Sequence, residues 1–368
     1  MIKTIQIVSF DVPYPPNYGG VIDVFYKIKA FESLGVDVIL HTFEYGRGQQ
    51  TELEKYCKEV YYYPRKSFLK SFLSTTPFIV KTRDNILLKQ RLLGNKFPVL
   101  FEGLHSVSGL EKLVNVGVKT IVRAHNIEHN YYKGLAKSES NFFKKVFFKI
   151  EAYKLKNYES ILNKADVVLS ISPIEQDYFF KKYGSKSNYI PVFFQCEFKD
   201  LQPEQNIVLW HGDLRVSDNI KAALLAIEVV KNTKYKLIIA SSTVGKKIKH
   251  ACREYDNVEL NTLRKENELE RLLASAKINL LFTFQATGIK LKLLNALTNS
   301  RFVIANSKMI ENTDLENLCF KADTIESVIK ELNLLDSSSF LNEDREKRKT
   351  VLNTFKAEHN AQKIIDLL

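Results

Sequence analysis

The feature that most constrains this chain is a rhythm: short apolar runs of the β type alternate with helical patterns along most of its length. Parallel neighbours need a long crossover, usually a helix, so such alternation implies parallel sheets covered by helices on both faces. In the first half, Thr4–Phe10, Val36–Phe43, Val60–Tyr63, Val99–Phe101, Thr120–Ala124 and Val167–Ile171 predict strands. Between the first two lies Val21–Leu34, where Val21, Phe25, Ile28 and Phe31 recur at the three-to-four spacing of a buried helix face. The rhythm stops at Asn188–Asn206, a polar stretch carrying Pro191 and Pro203, and then restarts. Strands are predicted at Ile207–Trp210, Lys236–Ala240, Ile278–Phe282 and Phe302–Ala305. Helices are predicted at Asn219–Lys231, Lys246–Glu254, Glu266–Ala274 and Lys290–Thr298.

The fold class is therefore α/β, with two doubly wound, Rossmann-like domains over residues 1–192 and 206–350. A chain of 368 residues exceeds what one growing core accommodates, which agrees with two domains. The tail is helical in pattern, and its last stretch, about 353–368, can return to pack on the first domain. Two such sheets in tandem are expected to face each other across a cleft at the carboxyl ends of their strands, where ligands bind in open α/β sheets. The chemistry is accordingly sought in loops that follow strands.

Composition narrows the partners. A net charge of +12 favours an anionic partner: nucleic acid, acidic lipid or a phosphorylated small molecule. The plainer reading of the same number is a lysine-rich wet surface. Cys57, Cys196, Cys252 and Cys319 stand apart, with no CxxC pair, so they read as reduced packing residues rather than a disulfide or zinc framework. No apolar run is long enough to span a bilayer and Met1–Phe10 lacks a signal-peptide cleavage site, so a cytoplasmic protein is expected.

Four segments carry candidate chemistry. After the first strand, Gly19 and Gly20 open a helix; paired glycines let a ligand approach the backbone, and helix N–H groups suit a phosphate. This is not GxGxxG, so no nicotinamide fingerprint is present, and a plain turn is the alternative. After Thr120–Ala124 come His125, Asn126, Glu128 and His129, whose side chains can hydrogen-bond sugar hydroxyls. The i,i+4 histidines lack HExxH order and a third ligand, so no metal is expected. After Ile207–Trp210, Gly212 leads to Arg215, a cation that can reach a diphosphate or simply face water. After Ile278–Phe282, Gly288, Ile289 and the first N–H groups of the next helix can cradle a diphosphate while Lys290 neutralises it as it leaves. Lys290 and Lys292 are two apart, so on a helix they point to different faces.

Taken in order, Pro15–Gly20, His125–His129, Tyr158–Glu159 followed by Ala165–Val168 and Ser170–Ser172, and Gly288–Lys292 before Ala296–Leu297 resemble the retaining glycosyltransferases of GT-B fold in the large family four. The resemblance spans nearly the whole chain. It implies metal-independent transfer from a nucleotide sugar with retention of configuration. It further implies Gly19 and Gly20 near the diphosphate, His125 on the donor sugar, and Gly288, Ile289 and Lys290 on the diphosphate. Two departures stand out. The family's two glutamates eight apart are here Thr287 and Asn295, so a ribose contact from Asn295 loses its charge. The basic residue expected after the first glycine of the second domain is Asp213, with Arg215 two further on.

Aromatics interleave with lysines in Phe142–Ile150 and Arg65–Leu73, a pattern that suits either an anionic membrane surface or a helix with an aromatic core face. The sequence thus favours a transferase that moves a sugar from a nucleotide donor to a glycan or lipid-linked acceptor. The alternative is a catalytically degenerate relative acting as a binding or scaffold protein. Nucleic-acid binding would rest on charge alone and is not expected.

Overall fold

The computed structural model describes residues 3–67, 71, 74–139, 141–265, 267–284 and 291–368. The chain forms two compact units, Met1–Gln195 with Thr354–Leu368, and Cys196–Asn353.

The first unit is built on seven parallel strands in the order β3-β2-β1-β4-β5-β6-β7. These are β1 (Thr4–Ser9), β2 (Asp37–Glu44), β3 (Glu59–Pro64), β4 (Val99–Glu102), β5 (Thr120–Ala124), β6 (Val167–Ser170) and β7 (Ser187–Tyr189). Strand β1 lies between β2 and β4, so its carboxyl end marks the point where the strand order reverses. Alternate residues feed two cores. Ile5, Ile7, Leu100, Ile121 and Leu169 pack with Val24, Ile28 and Phe31 of the helix Gly19–Ser33. Val8, Phe101, Val122 and Val168 pack on the other face with Leu155 and Phe179. Ala361, Ile364 and Ile365 of the helix Ala357–Asp366 join the first of these cores against the helix Gly19–Ser33. Burial of each such aliphatic side chain contributes roughly 1.5–3 kcal/mol.

The second unit repeats the plan with six parallel strands in the order β10-β9-β8-β11-β12-β13. They are β8 (Gln205–His211), β9 (Lys236–Ser241), β10 (Val258–Thr262), β11 (Ala276–Leu281), β12 (Phe302–Ala305) and β13 (Phe320–Lys321). Its core gathers Val208, Trp210, Ile239 and Leu280 under Ala222, Ala226 and Val230 of the helix Ser217–Val230. Strands β7, β10 and β13 were not among the runs read from the sequence. β7 and β13 are only three and two residues long, and β10 buries only its first residue. The four α/β strands expected in this half all form, each within two residues of its predicted limits.

Candidate functional site

In the first unit, polar residues converge where β1, β4 and β5 end. Asp23 and Lys27 sit one turn apart on the helix Gly19–Ser33, and the Lys27 ammonium bridges Asp23 at 2.9 Å and Glu102, at the end of β4, at 2.6 Å. Arg123 on β5 grips Asp23 through Nε at 2.7 Å and Nη2 at 2.8 Å. All four side chains are at most 1% exposed. Arg123 also donates to the carbonyls of Ile190 and Pro191, while Asp23 accepts from the Phe193 amide, so the network fastens the chain that leaves β7. Buried charges of this kind are costly unless paired and hydrogen-bonded, and here each is. Burial works to raise both carboxyls; Arg123 and Lys27 outweigh it at Asp23, and Lys27 does so at Glu102, holding both below the usual carboxylate range.

His125 follows β5 directly. Its Nε2 meets Glu102 at 2.9 Å, its ring stands edge-on to Phe10 with centroids 5.5 Å apart, and 9% of its surface stays exposed. The ring is thus oriented by a carboxylate that Lys27 fixes in turn. Asp23, Glu102 and His125 also form a triad with atoms close enough to hold a cation. The two carboxylates, however, already share the positive charges of Lys27 and Arg123, so a metal would compete with two resident cations.

The other residues of this segment divide. His129 is buried and tied at 3.2 Å to Glu159, which also accepts from Tyr178 and Lys182. That places it in a structural network under the helix Glu128–Ser138. Glu128 is different. It is 4% exposed, its Oε1 has no hydrogen-bond partner among the described residues, and His105 Nδ1, equally unpartnered, stands 3.9 Å away. Burial pushes the Glu128 carboxyl up to about 8, against the hydrogen bond from Asn126. Burial, with Arg83 next, pushes His105 well down. Both are therefore neutral near pH 7.

Gly19 is the first residue of its helix, and Tyr18 before it provides no side-chain cap, which leaves the first amides without a side-chain acceptor. A Cβ on Gly20 would run into the Phe10 ring. The glycine is therefore required for helix and β1 loop to approach.

In the second unit, Gly212 follows β8, and a Cβ there would lie 2.9 Å from Trp210. Asp213 accepts from Thr243 and takes the Arg215 guanidinium in a fork at 3.0 and 2.7 Å, with the Arg215 side chain 76% exposed. Asn295 lies on the helix Leu291–Asn299, half-buried, with Oδ1 accepting from Asn299 at 2.7 Å. Gly288, Ile289, Lys290 and Thr287 lie outside the described residues. Lys292, which the spacing left to either face, donates to the Phe282 carbonyl at 3.2 Å and lies 6.0 Å from the Trp210 ring, at the carboxyl end of the sheet. Beside it His211 is buried with Nε2 unpartnered, and burial, with Lys292 adding, pushes its imidazole down to about 3.

Sequence reasoning missed Asp23, Lys27, Glu102, His105 and Arg83. The one available signal was a pair of charged residues inside an otherwise apolar helix face, Asp23 and Lys27. A pocket of about 260 Å³ lined by Thr76, Lys81, Asp84, Lys89, Ser108 and Tyr158 contains none of the residues above, and Asp84 there is committed to Lys89 and Ser108. No helix among the described residues is long and apolar enough to cross a membrane.

No protein-family model matches the chain. A glycosyltransferase from Rickettsia africae superposes with a TM-score of 0.71 at 16% identity, covering 100% of this chain and 97% of that one. Anabaena HepE, in its complex with UDP-glucose, gives 0.70 at 11% identity over 99% and 98%. With two parallel sheets of this order, those likenesses establish the GT-B fold. An uncharacterized 44.6 kDa protein in the cps region of Klebsiella pneumoniae is 30% identical over 330 residues, 84% of this chain and 84% of that one. At that identity and coverage the chain belongs to the family of the Klebsiella pneumoniae cps-region protein, built on the fold of the GT-B glycosyltransferases.

Proposed function

We propose that this protein is a glycosyltransferase that moves a sugar from a nucleotide-sugar donor to a glycan or lipid-linked acceptor, with retention, in the synthesis of a surface polysaccharide or glycoconjugate. The observation that carries it is His125, held at the carboxyl end of β5 by Glu102, within a fold whose solved examples include HepE with UDP-glucose. A cps-region relative supports the polysaccharide setting.

In this reading the first unit supplies orientation. A hydrogen bond from His125 positions a donor-sugar hydroxyl, and Glu102 and Lys27 keep the ring from swinging away. The second unit supplies charge. Lys290 and the N–H groups around Gly288 and Ile289 take the negative charge that accumulates on the departing diphosphate, with Gly212 and Lys292 at neighbouring strand ends and Asn295 toward the nucleoside. Transfer needs no metal ion, because the acidic groups near His125 are already neutralised by Lys27 and Arg123.

The acceptor is brought to the protein at an anionic membrane surface on the cytoplasmic side. The helix Phe142–Tyr158 supports this: Phe142, Phe143, Val146, Ile150 and Tyr153 are all exposed on it, at 70%, 82%, 38%, 45% and 69%, among Lys144, Lys149 and Lys156. Half-buried Phe147 and Phe148 serve the packing instead, edge-on to Phe78 and Tyr132. Flotation with anionic vesicles at low salt tests this surface, and a chain that stays at the bottom of the gradient with Phe142 and Phe143 intact removes it.

A second reading, a degenerate relative that binds without transferring, is favoured by one observation: Asp213 engages Arg215, the cation nearest to Gly212 in that loop. Product formation across a panel of nucleotide sugars, each offered with lipid-linked acceptors, decides between the two. Donor binding without turnover or hydrolysis for every sugar leaves the second reading standing.

A further inference from the structure

The arginines at the end of β1 have no role in the reading above. Arg83 is only 6% exposed, yet its guanidinium meets no carboxylate: Nε donates to the Phe10 carbonyl and Nη1 to the Ile79 carbonyl, each at 2.7 Å. Nη2 has no partner among the described residues. Arg65, half-buried, stacks over the Tyr45 ring at 4.4 Å, donates to Thr82 at 3.3 Å, and keeps its own Nε unpartnered. The two guanidiniums lie near enough to repel, and burial, with Arg65 next, pushes Arg83 down to about 9. Asp11 lies near enough to feel both arginines, but its oxygens are committed to the Tyr18 hydroxyl and the Val12 amide. His105 and Glu128, both near enough to feel the Arg83 charge, carry the two orphaned atoms described above. Phe10 links this group to the candidate site, since its ring packs against both His105 and His125.

Two neighbouring guanidiniums without a carboxylate repel each other, and an anion between them would relieve that repulsion. The fork of N–H groups on arginine matches phosphate oxygens, and a neutral carboxyl adds an O–H donor where an ionised one would repel the anion. We propose that Arg65 and Arg83, with Glu128 and His105, form a phosphate-binding subsite in the first unit that receives the phosphate group of the acceptor. The phosphate has two chemical sources, a lipid-linked diphosphate and a soluble sugar phosphate. The word acceptor rests on the transferase reading; the phosphate site does not.

The test uses the full chain and needs no turnover. Titration calorimetry with inorganic phosphate and glucose 6-phosphate, and flotation with phosphatidylcholine vesicles carrying phosphatidic acid, are run beside UDP. The expected result is binding of at least one phosphate probe, weakened about tenfold or more by Arg65→Gln, which bonds no backbone and should fold, with UDP affinity unchanged. Arg83→Lys should weaken the same probe. Binding of the soluble probes identifies the sugar-phosphate source, and vesicle binding that Arg65→Gln weakens, with no soluble probe bound, identifies the lipid-borne one. If Arg65→Gln binds every probe as the unmodified chain does, if no probe binds, or if UDP is lost in parallel, the proposal is overturned. A chain that binds phosphate through Arg65 but transfers no sugar defeats the transferase reading instead.

Discussion

The ends of β4 and β5 with the helix Gly19–Ser33 in the first unit, and the loop that follows β8 in the second, sit at the carboxyl ends of two parallel sheets, and they handle charge in opposite ways. In the first unit Asp23, Lys27, Glu102 and Arg123 are sealed from water and each depends on the others. In the second, Asp213 and Arg215 face solvent and bind each other. A buried pair is expensive to break, because the partner left behind has no water to turn to, whereas an exposed pair is worth about 0–1 kcal/mol. The first arrangement therefore defines a rigid frame for His125. The second leaves Arg215 in a pair that water screens.

The contrast can be broken most forcefully at Asp23. Asp23→Ala should strand Lys27 and Arg123 and release the Phe193 amide, costing about 3–5 kcal/mol in denaturant unfolding of the first unit. A loss near zero would mean that water already reaches the network. Next is Lys290→Ala, which on the proposed function should lower turnover by about 10²–10³ while leaving the unfolding curve unchanged. Near-full turnover would take Lys290 out of the site.

A third test exploits Glu128. The folded carboxyl holds its proton up to about 8, while the unfolded one releases it near its ordinary 4.5. Within that window the native state binds the extra proton, so stability falls as pH rises and levels off above about 8. Glu128→Gln should abolish that decline, worth about 2 kcal/mol between roughly pH 6 and pH 8, and identical slopes for both proteins would show the carboxyl ionised. The smallest effect belongs to the exposed pair: Arg215→Ala should change stability by less than about 1 kcal/mol. A larger loss would show that the second loop is framed as tightly as the first.

Much of the architecture could be read beforehand, and the reason is local. Runs such as Thr120–Ala124 and Phe302–Ala305 are buried on both faces, so apolar residues mark them without reference to the rest of the chain. β10 is an edge strand in which Glu259 and Asn261 alternate with Val258 and Leu260, so it shows no continuous apolar run. The site was legible only where a motif is contiguous. His125 stands in one, whereas Glu102 and Asp23, which hold it in place directly and at one remove, come from elements separated by long stretches of sequence and meet only in the folded sheet. Arg83 offered even less: a lone arginine in sequence reads as a surface residue until its guanidinium is seen to donate to the Phe10 and Ile79 carbonyls.

The helix Ala357–Asp366 closes the core of the first unit although it follows the second unit in chain order. As a ribosome makes the protein, the groove on the helix Gly19–Ser33 that receives Ile364 must wait, uncovered, while some one hundred and sixty residues of the other unit emerge (Cys196–Asn353). The early half of the molecule is thus the last to be finished, and a nascent chain stalled before Ala357 would present that apolar groove to chaperones and proteases.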